Sequence, residues 1–369
     1  MDQARFRALV AHSIAVIAAH QASTGAYLAS PNFPVYRYSW LRDGAFIADG
    51  MSRAGQIESA DAFFAWCARV VLARRERIER LLARRAARDP IDNAEFLPTR
   101  FTADGADGVE AWTEFQLDGY GAWVWALIAH ARRHGRPLPS LDGARLSIRY
   151  ATAFWEHPNY DWWEEHAERR HVSTLASIHG GARALAGWEG IDPVERAALS
   201  AEADLIRTCV IDAATPLGHV PKWLGSDAID ASLISVATPF GLLAADDPLM
   251  VRTVDEIERQ LVHDGGVHRY ALDTYFGGGE WLLLAALLGW HQVRTGRRAD
   301  ALRQLDWMAA QATPAGDLPE QVSDHLLFPD RFDEWRERWG PVATPLLWSH
   351  GMFLTLAAEL GLLPTGDAR

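Results

Sequence analysis

Residues 280–290, EWLLLAALLGW, and residues 300–311, DALRQLDWMAAQ, decide the fold. The first stretch is apolar on every side, the pattern of a helix surrounded by protein; the second has one apolar face, the pattern of a helix between core and water. The same helical periodicity runs at about 3–20, 44–54, 57–87, 118–134, 143–156, 172–188, 193–212, 228–243, 251–262, 280–295, 299–311 and 345–361. Buried and half-buried segments alternate, and a single layer could not bury helices that are apolar all round. The expected fold is therefore all-α, an (α/α)6 barrel of about twelve helices in two concentric layers.

No Pro/Gly/Ser-rich linker or charge block divides the chain, so one domain over 1–369 is expected. In IDPVERAAL (191–199), Asp192 is placed to cap a helix, Pro193 to open it and Glu195 to close a capping box. Strand-like alternation is confined to pieces such as GHVPKWL (218–224). The Arg-rich stretch 73–89 interleaves Glu76 and Glu79, as a solvated outer helix face would.

The net charge of −12 gives no electrostatic support to a nucleic-acid or anionic-membrane partner. No run of 18 apolar residues occurs, so no membrane span is expected. The N-terminal stretch carries Asp2 where a secretion signal wants positive charge, so a cytoplasmic protein is expected. A barrel of this size can stand as a monomer. Cys67 and Cys209 sit in apolar, helix-like contexts and read as free thiols. The fourteen histidines show no metal-ligand spacing, and no metal or organic cofactor is called for. Lys222 is the only lysine, which reads as compositional bias.

The chemistry lies in the loops. YRYSWLRDGA (36–45), WTEFQLDGYG (112–121), YDWWEEH (160–166), HRYALDTYFGGGEW (268–281), DLPEQ (317–321) and PLLWSHG (345–351) all mix aromatic, Gly and charged residues. Spaced around a barrel, such clusters would fall on one rim. Indole faces stack on the C–H faces of a pyranose, while charged planar groups bond its hydroxyls, so the mixture suits a sugar site. Each cluster also has a plainer reading. The 160–166 stretch is either a loop with tryptophans in and glutamates out, or a carboxyl held protonated against an aromatic wall. Asp43 either caps a helix or joins Arg42 in gripping vicinal hydroxyls. Glu320, after Pro319, sits on a stiffened loop suited to holding a water as general base.

Taken together and in order, the blocks resemble the glucoamylase family, glycoside hydrolase family fifteen. They are Tyr36 to Asp43 (Y-x-Y-x-W-x-R-D), Trp112 to Gly119 (W-x-x-x-Q-x-D-G), Asp161 to Glu165 (D-x-W-E-E), Arg269 to Trp281 (R-Y-x-x-D-T-Y, then W), Glu320-Gln321, and Leu346 to Ser349 (L-x-W-S). The resemblance implies an (α/α)6 barrel and inverting, exo-acting hydrolysis of an α-glucosidic bond with release of β-glucose. It implies Glu164 as general acid and Glu320 as general base. Arg42 and Asp43 would hold the terminal glucose. Tyr36, Trp40, Trp112, Trp163 and Trp281 would line the pocket, Arg269 would bind sugar hydroxyls, and Glu165 would lie towards the aglycone. Such a pair needs one protonated and one ionised carboxyl roughly 6.5–9.5 Å apart, leaving room for the attacking water. Trp162 and Trp163 would keep Glu164 protonated, and Glu165 would raise its pKa further.

The first block begins at residue 36, leaving room for neither the β-sandwich of bacterial members nor, after the barrel, a starch-binding module. The expected partner is thus a small α-glucoside, isomaltose or short isomalto-oligosaccharides. α-1,4 malto-oligosaccharides and trehalose are the alternatives. A phosphorylase would want a basic phosphate pocket where Glu320 stands, and a non-catalytic glucan-binding protein would have lost one of the two carboxylates.

Overall fold

The computed structural model describes residues 2–363. Its α-helices are α1 (Gln3–Ala19), α2 (Leu41–Arg53), α3 (Ile57–Leu72), α4 (Arg75–Ala87), α5 (Asp118–His134), α6 (Leu141–Phe154), α7 (Val172–Ala186), α8 (Pro193–Ala214), α9 (Pro248–Leu261), α10 (Leu282–Arg294), α11 (Arg298–Ala310), α12 (Phe332–Trp339) and α13 (Leu347–Glu359). The helices α2, α5 and α7, a 3₁₀ turn at Ala231–Val236, then α10 and α13 each pack on the next, and α13 returns to α2. That closed ring is the inner layer. Outside it, α1 covers α13, α3 covers α2, α6 bridges α5 and α7, α8 covers α7, α9 covers the 3₁₀ turn and α11 covers α10. Along the chain, outer and inner segments alternate, which is the (α/α)6 barrel. The all-apolar α10 is buried from Leu282 to Gln292, and α11 buries one face only, through Ala301, Gln304, Leu305, Met308 and Ala309.

The structure corrects five details of the sequence reading. The 57–87 segment is two helices, broken at Ala73 and Arg74. The inner segment expected at 228–243 is only a 3₁₀ turn. Asp230 caps it at Ser232, Pro239 cannot donate a helical hydrogen bond, and Gly241 takes φ 63. α12 was not anticipated: FDEWRERW is a short, highly charged segment that fully buries no residue, although Phe332, Trp335 and Trp339 pack on the core from one face. GHVPKWL contributes a single bridge, His171 with Trp223, and no strand. At α8, Asp192 does accept from the N–H groups of Val194 and Glu195, but the Glu195 carboxylate turns to Arg145 at 2.7 and 2.8 Å instead of closing the box.

Every inner segment points its N-terminus at the same rim, and the aromatic loops precede those N-termini. Helix dipoles thus present partial positive charge to that rim. Two-residue ladders fasten the loops to one another. Ser39–Trp40 pairs with Arg100–Phe101, and Glu280–Trp281 with Gln321–Val322. Inner helices approach closely where glycines face each other. A Cβ on Gly50 of α2 would lie 2.2 Å from the Gly351 carbonyl oxygen of α13, and one on Gly121 of α5 would lie 2.3 Å from the Ser177 oxygen of α7. A methyl group there forces the ring open. A Cβ on Gly351 itself would lie 2.8 Å from the Ile47 Cα of α2, so G351A should lower stability by about 1–3 kcal/mol, measured by denaturant unfolding. G55A is not a fair control, since Gly55 takes φ 76; the exposed Leu302→Ala, on the outer helix α11, should shift stability far less.

Candidate active site

The rim loops enclose a cavity of about 520 Å³. All eleven residues singled out from the sequence line it: Tyr36, Trp40, Arg42, Asp43, Trp112, Trp163, Glu164, Glu165, Arg269, Trp281 and Glu320. Trp162, Tyr275, Trp348 and, from α12, Trp335, Arg338 and Trp339 complete the wall.

Arg42 and Asp43 lie in the first turn of α2, whose N-cap Trp40 makes no side-chain cap bond, so Asp43 is not the cap. Arg42 is 4% exposed and donates to Gln116 Oε1 at 2.8 Å and Asp118 Oδ2 at 2.9 Å. Burial works against its charge, but Asp118 and Asp43 outweigh burial and hold its pKa above the ordinary value. Its Nε meets Asp43 Oδ1 only at 3.4 Å, and neither atom has a hydrogen-bond partner among the described residues. Burial pushes the Asp43 carboxyl up to about 7, against the pull of Arg42 and with reinforcement from Glu164 and Asp118.

Glu164 stands in the loop between α6 and α7 at φ 65, a left-handed conformation that is uncommon for a non-glycine residue. Asp161 holds it there. Its Oδ1 accepts from the N–H of Trp163 at 3.0 Å and of Glu165 at 2.9 Å, and its carbonyl accepts from the Glu164 N–H at 3.0 Å. The Glu164 carboxylate accepts at Oε1 from Trp40 Nε1 at 2.7 Å and from Gln116 Nε2 at 3.1 Å. Its pKa is raised, burial outweighing the opposing pull of Arg42, Gln116, Trp40 and Trp112. Trp40 is thus the indole that donates to this carboxylate, while the Trp163 indole donates to Asp230 at 2.9 Å. Glu165 turns to other partners, accepting from the Tyr270 hydroxyl and lying 3.6 Å from Arg269.

Arg269 is buried and paired with Asp273, donating from Nε at 2.7 Å, and its guanidinium lies 5.1–5.2 Å from the ring centres of Trp163, Tyr275 and Trp281. Asp273 also accepts from the Tyr275 N–H at 2.8 Å. Glu320 is 2% exposed, and its Oε2 has no partner among the described residues. Burial pushes its pKa up to about 8, while Arg269 and the hydroxyls of Tyr36 and Tyr275, 2.9 Å apart, pull it down. Trp112 is fixed by Arg100, whose guanidinium lies 4.3 Å from one of its rings and 4.1 Å from Tyr38.

Gln116, Asp118 and Asp273 lay inside the quoted sequence blocks but were given no part; their pairing with Arg42 and Arg269 appears only in three dimensions. The α12 residues had no signal beyond two tryptophans flanking arginines. Two groups of described residues are spaced to share a metal ion, His12 with Asp317 and His350, and His263 with Glu280 and His325. Neither lines the cavity, and both nitrogens of His350 are engaged, with Leu318 and Ser13.

The profile of glycosyl hydrolases family 15 matches residues 4–312. The chain is 50% identical to an isomaltose glucohydrolase of Kribbella flavida, over 98% of this chain and 95% of that protein. A trehalase of Mycolicibacterium smegmatis is 28% identical over 68% of this chain and 40% of its own length. The solved structure of a wild-type glycosidase superposes with a TM-score of 0.96 at 49% identity, covering 99% of this chain and all of that one. A glucoamylase from Saccharomycopsis fibuligera, at 14% identity and a TM-score of 0.68, shares the fold. With this profile, these relatives and a barrel whose rim gathers paired carboxyls among tryptophans, the chain belongs to glycosyl hydrolases family 15 and is a glycoside hydrolase.

Proposed function

We propose that the chain is an inverting α-glucoside hydrolase that releases β-glucose from the non-reducing end of isomaltose and short isomalto-oligosaccharides. The observation that carries this reading is the convergence of two buried carboxyls, Glu164 and Glu320, on one aromatic cavity that is also lined by the buried pair Arg42 and Asp43. The α-1,6 preference is supported by the 50% identity to an isomaltose glucohydrolase over nearly the whole chain, against 28% and partial coverage for the trehalase. A structural relative with a TM-score of 0.96 was solved in complex with glucose.

In this reading Arg42 donates to, and Asp43 accepts from, hydroxyls of the terminal glucose, whose C–H faces meet Trp40, Trp112 and Trp281. Tyr36 closes the pocket beside Glu320, and Arg269 donates to further hydroxyls. The Glu164 carboxyl gives its proton to the glycosidic oxygen as the anomeric C–O bond breaks. A water attacks the opposite face of the anomeric carbon, and Glu320 takes that water's proton. Glu165, tied to Tyr270 and Arg269, and Trp163 shape the side facing the leaving sugar.

The reading extends to one catalytic unit acting as a cytoplasmic monomer. The exposed large apolar side chains of the described residues are scattered, Val194 and Leu205 eleven residues apart on α8, Val251 on α9 and Val109 and Leu272 in loops, and Cys67 and Cys209 are both free thiols.

Isomaltose should be cleaved with a higher kcat/KM than maltose or trehalose when glucose release is assayed on all three. Faster cleavage of maltose or trehalose would discard the linkage preference. Glu164→Gln should lower kcat on isomaltose by about 10²–10⁴-fold, the contribution of general acid–base catalysis, with KM little changed. Unchanged turnover would remove Glu164 from the mechanism.

The pH dependence follows from the two raised carboxyls. A base works ionised, so activity is lost as pH falls through its pKa; an acid works protonated, so activity is lost as pH rises through its pKa. The pair titrates together. Both limbs of the kcat/KM profile should therefore lie above the ordinary glutamate value of about 4.5. An acidic limb at or below that value would contradict the burial argument.

A further inference from the structure

We propose that Lys222, the only lysine of the chain, is a positioning residue for Glu164, holding the loop that carries it through two buried carboxylates. The proposal rests on the reading of Glu164 as general acid.

Lys222 is 4% exposed and does not line the cavity. Its Nζ lies 2.9 Å from Asp230 Oδ2 and 3.6 Å from Asp161 Oδ2, and 3.3 Å from the centre of the Tyr270 ring. Each of these three partners continues to the cavity wall. Asp230 accepts the Trp163 indole N–H through the same Oδ2. Asp161 accepts the backbone N–H groups on either side of Glu164. The Tyr270 hydroxyl donates to Glu165. One ammonium therefore stands behind Trp163, Glu164 and Glu165 together.

The backbone of Lys222 is fixed from both sides. Its carbonyl accepts from the N–H of Val172, the first residue of α7, at 3.1 Å, and its N–H donates to Ala228 at 2.8 Å. The side chain thus reaches the two carboxylates from an anchored base. A compact ammonium with three donors suits a position between two carboxylates and an aromatic face, where a planar guanidinium would demand more room. The other titratable groups facing this cluster are His171, whose Nδ1 lies 3.9 Å from Asp161 Oδ2 and whose pKa burial holds below the ordinary value, and Arg269, whose guanidinium lies 5.7 Å from the centre of the Tyr270 ring and is paired with Asp273.

Without the ammonium, Asp161 and Asp230 would be buried carboxylates with no cation between them. Asp161 would turn away towards other donors, and the left-handed conformation at Glu164 would lose the bonds that over-determine it. The consequence is a displaced proton donor, not a lost sugar site.

A leaving group that needs no proton separates these outcomes. The reducing-end glucose of isomaltose leaves as an alkoxide unless Glu164 protonates the glycosidic oxygen, whereas α-glucosyl fluoride loses fluoride with little acid assistance. In K222M the ratio of kcat on isomaltose to kcat on α-glucosyl fluoride should fall by at least about tenfold, within the range general acid catalysis contributes. Glu164→Gln, with the larger fall, is the reference. A merely structural role would lower both rates together and leave the ratio at the wild-type value, which overturns the proposal. Circular dichroism establishes that K222M is folded, and K222M/D230N, which removes one of the stranded charges, is the second variant. If both fail to fold, Lys222 is a folding determinant and the proposal falls. Wild-type enzyme that hydrolyses neither substrate would instead overturn the glucosidase reading, and this proposal with it.

Discussion

An ionisable group buried among indoles must find a partner or lose its charge, and the architecture of this site is the set of answers to that demand. Arg42 is answered by Gln116 and Asp118, Arg269 by Asp273, and Lys222 by Asp230 and Asp161. Asp43, Glu164 and Glu320 are incompletely answered and are pushed towards their neutral forms. The division separates groups that hold the pocket together from groups left with bonding capacity to spend on a ligand. Gln116 links the two sets, because one amide accepts from Arg42 and donates to Glu164.

The barrel makes that arrangement affordable. Six inner segments begin at the same rim, so six loops meet there without any loop crossing the core. The ladder joining Glu280–Trp281 to Gln321–Val322 ties an aromatic wall residue to the carboxylate next in sequence, and the ladder joining Ser39–Trp40 to Arg100–Phe101 does the same for Trp40 and the arginine that fixes Trp112. Close glycine contacts such as Gly50 with Gly351 draw the inner helices together and leave the cavity to side chains rather than to gaps between helices.

Much of this was legible in the residues. The contrast between the all-apolar 282–290 run and the one-sided 300–310 run states two layers, and the aromatic, charged blocks state where the rim lies. Legibility failed where structure depends on partners distant in sequence. Residues 228–243 have helical hydrophobicity, yet Pro239 and the capping Asp230 leave a 3₁₀ turn in an inner-ring position. α12 brings Trp335, Arg338 and Trp339 to the cavity wall and fully buries none of them, and its one apolar face, Phe332, Trp335 and Trp339, is only two turns long in an otherwise charged segment. Lys222 looked like a quirk of composition because nothing in GHVPKWL announces two carboxylates and a tyrosine around its ammonium. Burial is the main cause that raises the Glu164 pKa and Trp162 and Trp163 share its cavity, but its hydrogen bonds come from Trp40 and Gln116, which the local sequence around Glu164 does not announce.

The central claim is that Glu164 and Glu320 act on opposite sides of the anomeric carbon with a water between them. The most direct test follows the anomer of the glucose first released from isomaltose by proton NMR, before mutarotation mixes the forms. The account predicts β-glucose as the initial product. α-Glucose appearing first would contradict it, because it would require a second displacement that this assignment of the two carboxyls does not contain.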